Sequence, residues 1–395
     1  MDSGDIAWML MSTALVLFMV PGLALFYGGM VRSKNVLNML NMNTYCLGII
    51  PLLWVTLTYS LGNTGDGDFI GNFDNIGLKD LTGDTDSLII MAFLMTFAVI
   101  TPALISGAVA DRMKFSAWVL FVPIWSLLVY TPVTYWVYSG WHTTMDIPAV
   151  DFAGGTAIHI NAGVAALALV LVLGKRKGWP ETAMPPHNLT LVMIGAGILW
   201  FGWFGFNAGS AAAANGQAVQ ALVNTFVAAA AGMIAWLAIE RLRDGHATTL
   251  GGASGVVAGL VAITPAAGFV GGLAPIVFGF VASLCCYCAI QLKGKFGYDD
   301  SLDVVGVHMV GGIVGGLLLG FFADARIGGA DGLFFGEAGL VLSQAIAIGS
   351  VLIFSFVVTY AIAKALDMTI GLRVSEEDEL VGLDQTQHAE TAYLD

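Results

Sequence analysis

The chain has 395 residues, of which 57% are hydrophobic and only 11% charged, with 50 glycines and a mean hydropathy of +0.82. Soluble domains carry roughly 25% charged residues, so an ordinary soluble enzyme is excluded and a polytopic membrane protein expected. The net charge of -13 argues against a nucleic-acid partner, which needs clustered basic residues.

A membrane-crossing helix takes about 20 mostly apolar residues. Eleven such segments are predicted, at about 6–31, 37–61, 87–110, 115–138, 152–173, 189–210, 218–239, 250–268, 273–291, 303–322 and 339–366, the eighth being short and rich in glycine. The opening residues MDSGDIAW are acidic, unlike the basic start of a secretory leader. Cys46, Cys285, Cys286 and Cys288 lie in apolar stretches, so no disulfide framework is predicted. Arg32 and Lys34 follow the first segment, Arg112 and Lys114 the third, Lys175, Arg176 and Lys177 the fifth, Arg241 and Arg243 the seventh, and Lys293 and Lys295 the ninth. With Lys364 and Arg373 after the eleventh, only Lys79 and Arg326 fall on the opposite side. That alternation predicts an N-terminus outside and a C-terminus in the cytoplasm.

The outer loop 62–86 carries Asp66, Asp68, Asp74, Asp80, Asp84 and Asp86 against one lysine. Two readings stand: attraction of small cations to this face, or a loop merely kept solvated and turned. The tail 367–395, with eight acidic residues and one arginine, reads as a docking element or as a disordered acidic end.

Eleven spans divide into five plus five plus one. The halves, about 6–173 and 189–322, are expected to run antiparallel, with the eleventh helix and the tail completing the chain. Inverted repeats of this kind place a substrate path at the interface of the halves. DFAGGTAIH over 151–159 and DVVGVH over 303–308 support the division, each beginning with an aspartate ahead of a histidine. Of six histidines only His159 and His308 lie within spans. An ionisable group there is costly and faces a cavity or a polar partner, and Asp151 lies on nearly the same helix face as His159. The plain alternative is that each histidine binds a neighbouring carbonyl. A metal site lacks a third ligand of suitable spacing. Neutral imidazoles in a narrow apolar pore would hydrogen-bond a small polar cargo and relay a proton. Phe97 and Phe206 add ring faces that attract cations or block water, or simply pack.

These motifs together resemble the ammonium transporter family, with its methylammonium permease and Rh relatives. PGLALFYGG (21–29) followed by VRSKN, DFAGGTAIHINAG (151–163), GWFGFNAGS (202–210), AITPAAG (262–268), DVVGVH (303–308) and GLRVSEE (371–377) occur in family order across nearly the whole chain. The resemblance implies an all-α membrane protein of eleven helices in a five-plus-five inverted repeat, assembled as a homotrimer with one pore per subunit in the plasma or inner membrane. It implies capture of ammonium outside, deprotonation, and passage of ammonia inward, with methylammonium a further candidate substrate and no cofactor. Position by position it implies Ser210, Tyr138, Phe97 and Trp203 at the outer site, and Phe97 with Phe206 as stacked gate rings. The pore would be lined by His159, His308, Leu23, Phe26, Leu199, Val304 and Thr264, with Asp151 supporting cation capture or deprotonation. The family's outer tryptophan is missing: in WVYSGW (136–141) Tyr138 stands opposite that position with a shift of one residue, and Trp136 and Trp141 are its possible substitutes. A cytosolic PII-type regulatory protein is an expected partner besides membrane lipid. The alternative reading is an ammonium sensor of the same fold that signals to such a partner with little transport. A Rh-like neutral gas channel fits less well because Ser210 is present, and an intramembrane enzyme lacks a nucleophile–base or metal constellation.

Overall fold

The computed structural model describes residues 1–393, so the last two residues of the predicted tail 367–395 lie outside the described residues. Among the described residues the regular structure is helical, apart from one isolated antiparallel bridge between Met113 and Arg373. Ten helices are long and apolar enough to cross a membrane. These are α1 (Ser3–Met30), α2 (Ser33–Asn63), α3 (Thr85–Val109), α4 (Phe115–Tyr138), α5 (Gly155–Leu173), α6 (Leu189–Gly209) and α7 (Gly216–Arg243). After the shorter apolar α8 (Thr249–Ile263) come α9 (Ala274–Phe296), α10 (Val305–Phe322) and α11 (Gly339–Thr369). α8 occupies the eighth predicted segment, 250–268, but spans 15 residues. Thr264 still has helical backbone and its N–H donates to the Leu260 carbonyl, and the ladder ends at Pro265, which has no N–H to carry it on.

Several helices begin where the sequence supplies a cap. Asp2 and Asp5 form a reciprocal capping box on α1. The side chains of Asp84, Asn188 and Thr248 accept from the backbone nitrogens of Ser87, Leu191 and Gly251 at the starts of α3, α6 and α8. Glycine then sets how closely the helices approach. At Gly195 in α6 a Cβ would stand 2.3 Å from the Phe26 nitrogen of α1, and at Gly163 in α5 it would stand 2.4 Å from the Met309 nitrogen of α10. The second approach draws together the turns that carry the two histidines. Both turns are π-helical, at Gly155–Ile160 and Val305–Met309, a geometry often found at functional sites.

The six aspartates of the outer loop are exposed. The loop is fastened to the end of α4, where the Tyr135 hydroxyl donates to the Gly65 carbonyl at 2.8 Å and the Trp136 indole to the Phe69 carbonyl at 2.7 Å. At the opposite end the tail is docked. Its helices α12 (Glu376–Val381) and α13 (Leu383–His388) lie against the loops that follow α1, α3 and α5. Buried Asp384 accepts from the Leu37 and Asn38 nitrogens at 3.0 and 2.8 Å, at the start of α2. Buried Glu379 accepts from the Lys177 nitrogen and the Arg373 guanidinium, both at 2.7 Å. Beneath them Arg176 binds Asp299 through two nitrogens, at 3.0 and 2.8 Å, and Arg32 binds Asp111 at 3.0 Å.

Candidate functional site

At the end that carries the acidic loop, a cavity of about 380 Å³ is lined by Phe97, Tyr138, Asp151, Phe152 and Ser210, among others. Tyr138 is 38% exposed and takes part in this lining, whereas Trp136 and Trp141 are not among the lining residues. Those tryptophans pack against Phe354 and His142, with ring centroids 4.6 and 4.3 Å apart. The Ser210 hydroxyl donates to the Phe206 carbonyl at 2.9 Å, which leaves its oxygen lone pairs free to accept from a cation. Asp151 Oδ1 accepts from the Gly154 and Gly155 nitrogens at 2.8 and 2.7 Å, and Oδ2 from Thr156 and Ala157 at 2.8 and 3.2 Å. Four backbone donors at a helix start favour the anion, but burial outweighs them and raises the carboxyl above the usual carboxylate range.

The floor of the cavity is aromatic. Phe97 and Phe206 meet with centroids 4.4 Å apart at 88°, so the rings are edge to face, not stacked as the resemblance implied. Phe97 lines the outer cavity, and Phe206 lines a chamber of about 10 Å³ on the other side. That volume suits one water-sized molecule. Leu23, Phe26, Leu199 and Trp203 line the chamber together with both histidines. His159 and His308 are 2% and 4% exposed. Their rings lie nearly parallel, at 14°, with Nδ1 facing Nδ1 at 3.2 Å. A hydrogen bond of that kind holds one proton, so one ring is the Nδ1–H tautomer and the other accepts. His159 Nε2 has no hydrogen-bond partner among the described residues. It is therefore free to meet whatever occupies the chamber.

Beyond His308 a third cavity, of about 50 Å³, is lined by Phe26, Tyr27, Ser254, Asp303 and His308, among others. The three cavities follow one another, divided first by the phenylalanine pair and then by Phe26 and His308, which line both inner spaces.

Three expected positions come out differently. Trp203, expected at the outer site, lies inside the phenylalanine pair, stacked on His159 with centroids 5.4 Å apart. Thr264 is fully buried and accepts from the Trp203 indole at 2.9 Å; it fixes that ring from behind and is not among the lining residues of the chamber. Val304 is 1% exposed and likewise stands behind the wall, where a Cβ at Gly107 would meet its side chain at 2.9 Å. The aspartate paired with Asp151 also changes. Asp303 has a positive φ of 64° and is bound to Lys293 at 2.5 Å. It is Asp300 that accepts from a nitrogen at the start of the second histidine's helix, Val305, at 2.7 Å. The spacing held the signal: Asp151 precedes His159 by eight residues and Asp300 precedes His308 by the same eight. Tyr27 and Ser254 went unnoticed because neither stands in a pattern that separates a lining residue from a packed one.

The family follows from comparison with known proteins. Residues 7–393 match the model of the Ammonium Transporter Family. The chain is 50% identical to the ammonium transporter of Mycobacterium tuberculosis, over 99% of this chain and 90% of that protein. Its fold matches that of Candida albicans Mep2 with a TM-score of 0.90 at 33% identity, covering 100% of this chain and 91% of that one. A protein described as "Sensor Amt Protein" matches with a TM-score of 0.91 at 25% identity, covering 98% of each chain. With half of its residues shared with a named relative along almost the entire length, this multi-pass membrane chain belongs to the ammonium transporter family.

Proposed function

We propose that the protein carries ammonium inward by capturing the cation in the outer cavity, deprotonating it, and passing ammonia through the histidine-lined chamber. The observation that carries this reading is the file of cavities, which narrows to about 10 Å³ at two buried imidazoles that share one proton. In the outer cavity Ser210 accepts a hydrogen bond from the cation, the Tyr138 and Phe97 rings attract it, and the Asp151 carboxylate favours it. Potassium has no proton to donate or to lose. Past Phe97 and Phe206 the surroundings are apolar, and an isolated charge there costs many kcal/mol. Ammonia is neutral, fits a water-sized chamber, and can exchange hydrogen bonds with His159 Nε2. Loss of the proton is thus part of selection as well as of passage.

The same reading takes α8 as the shortest of eleven spans and orients the chain with the acidic loop outside and the docked tail in the cytoplasm. The clustering of Arg32, Arg176, Lys177 and Arg373 around the tail supports that orientation through the excess of cations on cytoplasmic loops. The common eight-residue placement of Asp151 and Asp300 supports the inverted repeat. Assembly as a homotrimer in the cell membrane, and a PII-type partner at the tail end, follow from the family resemblance. The likeness to a protein described as a sensor keeps one second reading, ammonium sensing with little transport. One experiment separates them: ammonium pulses on protein reconstituted in liposomes over a solid-supported membrane, with potassium pulses and empty liposomes as controls. A saturable inward current with ammonium and none with potassium is the expected result. Absence of both current and internal alkalinisation overturns transport in favour of sensing.

A further inference from the structure

We propose that Asp300 is a proton-binding site on the cytoplasmic side of the pore, which exchanges its proton with the inner vestibule, unlike its counterpart Asp151, whose carboxyl oxygens are both taken up by backbone N–H groups. Its functional meaning rests on the transport reading above, and its chemistry on geometry alone. The two carboxyl groups occupy equivalent places at the starts of α5 and α10 but differ in how they are met. Asp151 receives four backbone N–H groups. Asp300 is 1% exposed, its Oδ2 accepts from Val305, and its Oδ1 has no partner among the described residues. A buried carboxylate with an empty acceptor is costly, and taking up a proton removes that cost.

The charged neighbours do not offset it. Lys293 reaches in from α9, but its ammonium group is engaged by the Asp303 carboxylate at 2.5 Å and the Asp300 carbonyl at 2.9 Å. Arg176 is engaged by Asp299 and Asp111, and Arg112 donates to the Asp299 carbonyl and the Ser301 hydroxyl. Tyr27 gives its proton to the Leu104 carbonyl at 3.1 Å, and Tyr298 stands by as a neutral phenol whose own proton is held more firmly by burial and then by Asp300. Asp303 adds a like charge. Burial first, and then Asp303, push the Asp300 carboxyl up to about 6, against the pull of Lys293. Asp303, three residues along the chain from Asp300, lines the third cavity beside His308, the side from which the proposal brings water and ammonium to the buried acid. The exchange is a plain proton transfer. An Asp300 oxygen forms an O–H bond with a proton released by hydronium or ammonium in the vestibule, and that bond breaks again to return the proton to water or ammonia.

The test is infrared difference spectroscopy of the full chain in bilayers, without ammonium, as the pH is stepped between about 8 and about 5. The expected result is a protonated carboxylic-acid band with a midpoint near 6 that is lost in Asp300→Asn. The midpoint should move to lower pH in Asp303→Asn, because removing the neighbouring negative charge eases ionisation. A band that persists in Asp300→Asn, or a midpoint indifferent to Asp303→Asn, overturns the proposal. Since the spectrum needs no transport, it stands or falls apart from the transport reading. Ammonium currents measured against internal pH supply the functional half: dependence across the same midpoint in the native chain and a flat profile in Asp300→Asn are expected, and identical profiles overturn it.

Discussion

His159 and His308 each take part in a single Nδ1–Nδ1 contact and are otherwise walled by Trp203, Phe206 and leucine. A buried polar pair that leaves His159 Nε2 without a partner among the described residues is poor design for stability alone, and that is the physical ground for the proposed role with the cargo. His159→Ala combined with His308→Ala is expected to remove the selective ammonium current, leaving a greasy constriction without a hydrogen-bonding wall. A double variant that still discriminates ammonium from potassium would remove the histidines from the mechanism. In the proposed path Ser210 comes earlier. Losing one hydrogen bond to a charged partner costs roughly 1.5–3 kcal/mol, so Ser210→Ala should weaken apparent affinity about tenfold or more and leave maximal flux less affected. Concentration dependence of the pulse current measures both. The histidines, Ser210 and the phenylalanines were legible as residues because they stand in motifs. Where Trp203, Thr264 and Val304 would stand was not legible, since one helix turn decides whether a side chain lines a cavity or backs its wall. That turn depends on packing partners distant in the chain.

Helices were legible through hydropathy, and their ends through caps and proline, because both signals are local. Where the helices touch was not, since glycine is abundant everywhere and marks a contact only at some positions. Gly195 is one of these. Its replacement by alanine pushes a methyl into the α1 backbone at Phe26, and overpacking of this sort costs typically about 1–3 kcal/mol. Gly195→Ala is therefore expected to lower the thermal midpoint in detergent, while Gly197→Ala, with open space around its Cβ position, should not. The tail packs against its own chain, because its acids meet backbone donors and cations on three loops. Within it, His388 touches Asn38 at 3.0 Å and packs on the Phe115 ring. Burial holds its imidazole below the ordinary histidine range, against the pull of Asp384. His388 thus binds a proton less readily in the docked tail than in a free one, so its contribution to docking is present above about pH 6.5 and weakens as pH falls through that value. Limited proteolysis at successive pH values should find the tail more readily cut in acid, and a pH-independent pattern in the native chain would count against this role for His388.

Across the whole molecule the two ends carry opposite chemistry. Exposed aspartates crown one, while the other holds arginines interlocked with buried carboxylates. The composition already implied this partition through the alternation of basic loops. It could not reveal which acids are buried, because Asp111, Asp299 and Asp300 stand in short loops that read as solvated. Asp299 is the pivot of the inner end. Its side chain is fully buried, grips Arg176 through two nitrogens, and offers its carbonyl to Arg112. Burial raises its carboxyl affinity for protons, but the Arg176 hydrogen bonds and the Arg112 and Arg176 charges outweigh this and hold it below the usual carboxylate range. Its contribution to stability is therefore present above the unfolded value near 4 and is lost as pH falls below it. Asp299→Asn removes the carboxylate that Arg176 grips with two nitrogens and whose charge also offsets Arg112, leaving Arg176 only the longer contact to Asp111 at 3.7 Å. Breaking a buried pair in this way costs about 3–5 kcal/mol, and it should loosen the loops after α3 and α5 together with the tail. The surface pair between Lys177 and Glu376, both about half exposed or more, is the contrast, because water screens it and its loss is expected to leave the melting curve unchanged. Thermal unfolding of Asp299→Asn beside Glu376→Gln is the comparison. Equal midpoints would mean that the buried network is ornamental and that packing alone holds the inner end.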